Sequence, residues 1–130
     1  MIGLDTNVVI RYLTQDDKKQ SAIANQLIES ELSESNLGYI TLITLVEITW
    51  VLESCYDQKK SALVSIIESL LSIKQIMVER TDIAYLALKQ YRDGNADFSD
   101  ALISMTCIDA GCNKIVTFDK KAATVGMQKI

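Results

Sequence analysis

The sequence predicts an α/β fold of three layers, in which a central, mainly parallel sheet of four to five short strands is flanked by helices. Three observations predict it. Short apolar stretches, IGL (2–4), GYI (38–40), IMV (76–78) and KIV (114–116), read as strands. Longer stretches between them place apolar residues at helical spacing. Strands separated by one or two helices need crossover connections, and crossovers go with parallel pairing.

The elements follow in order. MIGLDTNVVIRYL reads as a strand (2–4), a polar turn (Asp5, Thr6, Asn7) and an apolar helix (8–13). SAIANQLIESEL sets Ile23, Leu27, Ile28 and Leu32 at helical spacing. TLVEITWVLESCY, after GYI, reads as a buried helix, apolar on most sides. KKSALVSIIESLLS puts Leu63, Ile66, Ile67, Leu70 and Leu71 on one face. DIAYLALKQYRD follows Thr81, an expected N-cap. SDALISMTCIDAG is nearly all apolar and ends at Gly111, a C′ position, so it is expected in the interior against the sheet. After KIV, Asp119 opens a short last helix, and Val125 to Ile130 leaves room for a brief final strand.

Composition fits one domain, 1–130, able to bury a single core. Hydrophobic residues make up 48% and charged residues 23%, without charge blocks, repeats or linker-like tracts, so the chain reads as globular. With five glycines and no proline, breaks between elements must come from polar capping residues. No basic leader or small-residue cleavage site marks a signal peptide. The longest apolar stretch, YITLITLVEITWVL, carries Glu47 near its middle and is too short and too polar to span a bilayer. The protein is therefore expected to be cytoplasmic, with no membrane partner. Cys55, Cys107 and Cys112 are odd in number and lack paired spacing, which argues against a disulfide framework. Each reads as a small core residue.

The chain has no histidine. That removes Ser–His–Asp and Cys–His nucleophile systems and every His-based metal site. Carboxylates, Lys, Tyr, Cys or a metal-bound water remain for acid–base work. A net charge of −4 argues against a general nucleic-acid binder, though not against a nuclease whose basic residues are local. Lys18–Lys19, Lys59–Lys60 and Lys120–Lys121 are such pairs, and each is by default solvated surface.

Acids recur at the junctions. Asp5 follows the first strand and Asp119 follows KIV. Glu47 is expected in the first turn of the helix after GYI, and Asp97 and Asp100 at the start of the buried helix. Each has an ordinary explanation. Thr44-x-x-Glu47 has the form of a capping box, Asp97 is a cap, and Asp100 complements the helix dipole. Together they carry a second one. Parallel strands share a carboxyl edge, where Asp5, Glu47, Asp100 and Asp119 would converge. Clustered carboxylates raise one another's pKa, and a hard divalent cation relieves that conflict. Such a site suits phosphate chemistry. Asp109 lies two to three turns from Asp100 and is expected to stay apart; Asp57, Asp82 and Asp93 read as solvated or capping.

Four stretches, LDTNVVIRYLTQDD (4–17), LVEITWVLESCY (45–56), ADFSDALI (96–103) and AGCNKIVTFDKKAA (110–123), resemble PIN-domain proteins, specifically the toxins of VapBC-type toxin–antitoxin pairs. The resemblance covers essentially the whole chain. It implies a parallel sheet between helices and single-step, metal-dependent hydrolysis of RNA phosphodiesters. Carried onto this sequence, Asp5, Asp100 and Asp119 hold Mg²⁺ or Mn²⁺, and Glu47 completes the cluster and orients or deprotonates the attacking water. Thr6 and Asn7 match the polar residues after the first acid, Asp97 is a helper or a cap, and Thr117 matches the hydroxyl residue two before the last acid or bonds backbone at a strand end. Arg11, Lys120 and Lys121 are candidates for the RNA, and Arg11 also for an acid of the second helix or of an antitoxin. A homodimer and a cognate antitoxin inserted over the site are implied, with Tyr12, Trp50, Leu52 and Tyr56 lining a groove or belonging to the core. The alternatives are a PIN nuclease of RNA processing, a catalytically silent PIN-like module, and a receiver-like phospho-acceptor domain. The last fits poorly, because a single Asp follows the first strand and no Asp follows a middle strand (Thr41 follows GYI and Glu79 follows IMV).

Overall fold

Three parallel strands organise the first part of the chain in the computed structural model, which describes residues 1–130. β1 (Ile2–Gly3), β2 (Gly38–Ile40) and β3 (Ile76–Val78) pair in the order β1–β2–β3, with Gly3 opposite Tyr39 and Ile40 opposite Val78. All three run the same way, so Asp5, Thr41 and Glu79 leave the sheet along one edge. The crossovers are helical. α1 (Thr6–Thr14) and α2 (Lys18–Asn25), the latter continued by a π-helical turn (Gln26–Glu31), join β1 to β2. α3 (Leu42–Tyr56) and α4 (Lys60–Ser72) join β2 to β3. This unit, Met1–Glu79, has its own apolar centre: Val9, Ile28, Ile40, Leu45, Ile48 and Leu70 are wholly buried. Gly38 lets the leucines close on the central strand, since a Cβ there would lie 2.7 Å from Leu32 Cδ1 and 2.9 Å from Leu4 Cδ1.

Polar residues start and stop these helices. Thr41 caps α3, its Oγ1 accepting from the Thr44 N–H at 3.0 Å. Glu79 Oε1 accepts from the Leu42 N–H at 2.9 Å, so a second side chain holds the same helix start. The expected Thr44–Glu47 capping box is therefore not formed. α3 begins earlier, Thr44 lies within its first turn and Glu47 stands in its second. α1 and α3 both end on residues in the left-handed conformation, Gln15 (φ 56°) and Asp57 (φ 51°), without glycine. Gln15 is steadied by its Nε2, which donates to the Tyr12 carbonyl at 2.7 Å and to Asn25 Oδ1 at 2.7 Å.

The second unit, Arg80–Ile130, holds α5 (Thr81–Asp93), α6 (Phe98–Asp109) and a two-stranded parallel sheet of β4 (Val116–Thr117) and β5 (Gln128–Lys129). A 3₁₀ turn (Lys121–Val125) joins the two strands. α5 packs on α6 through small residues, with Ala84, Ala87 and Ala101 wholly buried. The rings of Tyr91 and Phe98 meet edge to face, 5.8 Å apart at 79°. Thr81 does not cap α5. Arg80 occupies that position with φ 47°, and its guanidinium pairs with Asp82 at 3.0 Å and Asp109 at 2.9 Å. Asp109 stays apart from Asp100, as its place in the last turn required.

The five strands are short and fall into a sheet of three and a sheet of two, with parallel pairing within each sheet. GYI and IMV match the expected strands residue for residue, whereas KIV yields a strand only from Val116. The cysteines are not core residues: Cys55 and Cys112 are exposed and Cys107 is half-buried. Cys107 and Cys112 sit where α6 ends and the chain leaves its packed face. No helix is long and apolar enough to cross a membrane. Because Thr41 satisfies an otherwise orphaned amide of α3, Thr41→Ala is expected to lower stability by about 1 kcal/mol, read by urea denaturation at unchanged slope.

Candidate active site

Two side-chain groups, one in each unit, hold the expected site residues. In the first unit, Asp5 stands at the N-cap of α1 with extended backbone (φ −76°, ψ 158°), yet its side chain makes no capping hydrogen bond. Its carbonyl begins the helix by accepting from Val8 and Val9, which leaves the exposed carboxylate unused by the helix. Thr6 is buried, and its Oγ1 donates to Glu47 Oε1 at 3.2 Å. That bond ties the start of α1 to the second turn of α3 and fixes one oxygen of an exposed acid. Asn7 is exposed and lines an apolar groove of about 200 Å³ between α1 and α2, together with Val8, Arg11, Ile23 and Leu27.

In the second unit Asp97 is a cap in fact. Its Oδ1 accepts from the Asp100 N–H at 2.9 Å and from Ser99 Oγ at 2.7 Å. Asp100 is half-buried, in the first turn of α6. Burial pushes its carboxyl up to about 6, aided by the charge of Asp97, a hydrogen bond with Asp97 and the charge of Asp119. Asp119 Oδ1 accepts from the Lys121 N–H at 2.9 Å, while its own N–H donates to Thr117 Oγ1 at 3.0 Å. Thr117 thus sets the backbone at Asp119. Neither unit alone brings three Asp, Glu or Cys side chains close enough to hold a metal ion.

The basic candidates divide. Arg11 Nε donates to Gln20 Oε1 at 2.7 Å, and Nη1 donates to Asp16 Oδ1 at 3.1 Å and to the Tyr56 hydroxyl at 3.2 Å. Burial lowers the Arg11 pKa, but Asp16 and Tyr56 outweigh it and hold it above the ordinary value. Hydrogen bonds from Tyr56 and Thr14, with Arg11 beside them, hold Asp16 down at about 2. Arg11 is thus paired with an acid just before α2. Lys120 is exposed beside Asp119 at the start of the 3₁₀ turn, and Lys121 is exposed and gives its backbone N–H to that acid.

Of the residues weighed between groove and core, Leu52 is buried, Trp50 is 51% exposed, and Tyr12 donates to Glu29 at 3.2 Å. Glu79 follows β3 as Asp5 follows β1, but its Oε1 is engaged by the Leu42 N–H at 2.9 Å.

Parallel strands, helical crossovers and acids at strand-to-helix junctions define the class of the molecule. The chain matches the PIN domain family over residues 2–126 and belongs to that family. It is also similar to the VapC ribonuclease of Aquifex aeolicus (strain VF5), with 22% identity over 127 residues, which cover 98% of this chain and 93% of that protein. The resemblance carried by DTN and the three later motifs is upheld on both counts.

Asp100 has a direct thermodynamic consequence. Its folded pKa of about 6 lies above the 3.8 of a free Asp, so the folded state holds the proton more tightly. This favours folding at low pH, and the advantage is lost as pH rises through 6. Asp100→Asn, measured in chelator, is therefore expected to melt higher than the parent at pH 7.5. The difference should vanish at pH 3.5, and an equal difference at both pH values would assign it to packing instead.

Proposed function

We propose that this protein is a metal-dependent endoribonuclease toxin that hydrolyses RNA phosphodiester bonds and is inhibited by a cognate antitoxin. One observation carries the reading: half-buried Asp100 has its carboxyl pushed up to about 6, first by burial and then by the charges of Asp97 and Asp119, a strain that a bound cation would relieve. Family membership and the VapC ribonuclease relative support the same reaction class.

The donors fit a hard cation, because every acid offered is a carboxylate and the chain has no histidine. Asp5, Asp100 and Asp119 would hold Mg²⁺ or Mn²⁺. The ion's contribution is to neutralise phosphate oxygens and ease deprotonation of water. The remaining work belongs to the chain. Glu47 orients the attacking water and takes its proton; Thr6, bonded to Oε1, presents the other carboxylate oxygen in a fixed direction. Asn7 steadies Asp5. Thr117 holds Asp119 through its backbone, and Asp97 fixes the turn that carries Asp100. Lys120 meets the RNA backbone, and Arg11 adds positive charge from within its pairing with Asp16. The reading extends to a single domain, 1–130, working in the cytoplasm. A homodimer is supported by the apolar face that α3 exposes at Ile43 and Trp50, and an antitoxin segment by the groove beside Asn7.

The purified chain, freed of antitoxin, should bind Mn²⁺ by calorimetry and cut RNA with Mg²⁺ or Mn²⁺ but not in chelator. Asp100→Asn should lose most of the Mn²⁺ affinity. Wild type that neither binds Mn²⁺ nor cuts any RNA pool would sink the reading. Glu47→Gln should still bind Mn²⁺ while cleavage falls by roughly 10²–10⁴, the range for loss of a general base.

A further inference from the structure

We infer that Cys107 and Cys112 form an oxidisable dithiol that closes into an intramolecular disulfide across the C-terminal cap of α6. The helix ends in a Schellman motif. The Gly111 N–H donates to the Ile108 carbonyl at 3.0 Å, and the Cys112 N–H donates to the Cys107 carbonyl at 3.0 Å. Gly111 supplies the left-handed turn, with φ 91°. In this motif the first and last residues of the ring bring their side chains together, usually as an apolar contact. Here both are cysteines.

The geometry suits a bond. With the amide of one residue hydrogen-bonded to the carbonyl of the other, bond lengths hold the two α-carbons within about 6.9 Å, at the upper edge of the roughly 4.4–6.8 Å that disulfides span. The thiols also sense each other. Burial raises the Cys107 thiol, and Cys112 raises it further by its charge and by a side-chain hydrogen bond.

Exposure assigns the roles. Cys112 is exposed and Cys107 half-buried, so Cys112 meets an oxidant first. With a peroxide as oxidant, the Cys112 sulfur attacks one oxygen, the O–O bond breaks, the leaving hydroxide takes up the thiol proton as water, and a sulfenic acid forms. The Cys107 sulfur then displaces the hydroxyl from the Cys112 sulfur, and the S–S bond forms as a second water is released. Two thiols and one hydrogen peroxide give one disulfide and two waters. A dithiol reductant reverses the change. The spacing of five residues, with no second pair, is why the sequence alone does not announce it. The cap supplies the proximity.

The test uses the full chain. The reduced protein is treated with hydrogen peroxide at a small excess, denatured, and labelled with N-ethylmaleimide. Three labels are expected on the reduced chain and one, at Cys55, after peroxide, with an intact mass lower by two hydrogens before labelling. Dithiothreitol should restore all three. Cys112→Ser should give no intramolecular disulfide, and Cys107→Ser should leave a sulfenic acid at Cys112 that dimedone traps. Closure should be faster in the folded chain than in urea. Retention of all three labels, dimers linked through Cys55, or equal rates with and without urea would each overturn the inference.

Discussion

Parallel pairing of β1, β2 and β3 is the constraint on which the first unit depends. Each strand is two or three residues long, too short to hold a sheet by its own hydrogen bonds. Their register depends instead on burial of apolar side chains, with Ile28, Leu45 and Leu70 of the helical crossovers as fully buried as Ile40 of the central strand. Once the direction is common, the exits from the strands fall on one edge. There the chain divides its polar groups by task. Thr41 and Glu79 both serve the amides of α3, and Asp5 serves none. The helix that Thr41 and Glu79 secure is the one that carries Glu47, so structural capping and placement of an acid are joined through α3.

The second unit uses the opposite arrangement. Asp97 caps, and in doing so it brings a negative charge against Asp100. Helix formation and electrostatic tension come from the same carboxylate. A carboxyl half-buried beside two acids destabilises the fold at neutral pH unless a cation is supplied. Evolution rarely retains such a cost without use, which is why a perturbed titration in a group of acids is a guide to function. Arg80 shows the balanced alternative. Its guanidinium meets Asp82 and Asp109 together, so both acids are held below the ordinary carboxylate range, with one negative charge left over in place of two.

Much of this was legible in the sequence because it depends on local pattern. GYI and IMV stand between polar breakers and are strands as read, and Asp5 and Asp100 stand at the helix starts where the pattern set them. What was not legible depends on which of two similar residues the backbone chooses. Thr41 and Thr44 are both hydroxyl residues near the start of α3, and the choice of Thr41 moved Glu47 from a capping box to a bond with Thr6. The cysteines were misplaced for a related reason. Apolar neighbours in sequence implied a core, but the last turn of α6 and the residues beyond it lie outside the packed face of the helix. Trp50, in a nearly all-apolar helix, gave no periodicity from which its exposure could be read.

Gln15, Asp57 and Arg80 each adopt a left-handed backbone that glycine would take at little cost. A chain with five glycines and no proline has instead closed three junctions with side-chain-bearing residues, each under roughly 1–2 kcal/mol of strain. Two of the three recover some of that through their own contacts, Gln15 by its amide and Arg80 by its guanidinium. Asp57, with a largely exposed side chain that reaches Lys59 only at 3.9 Å, recovers the least. The turn between α3 and α4 is therefore where this fold holds unused thermal tolerance, and where drift to glycine or asparagine among relatives would cost nothing in packing.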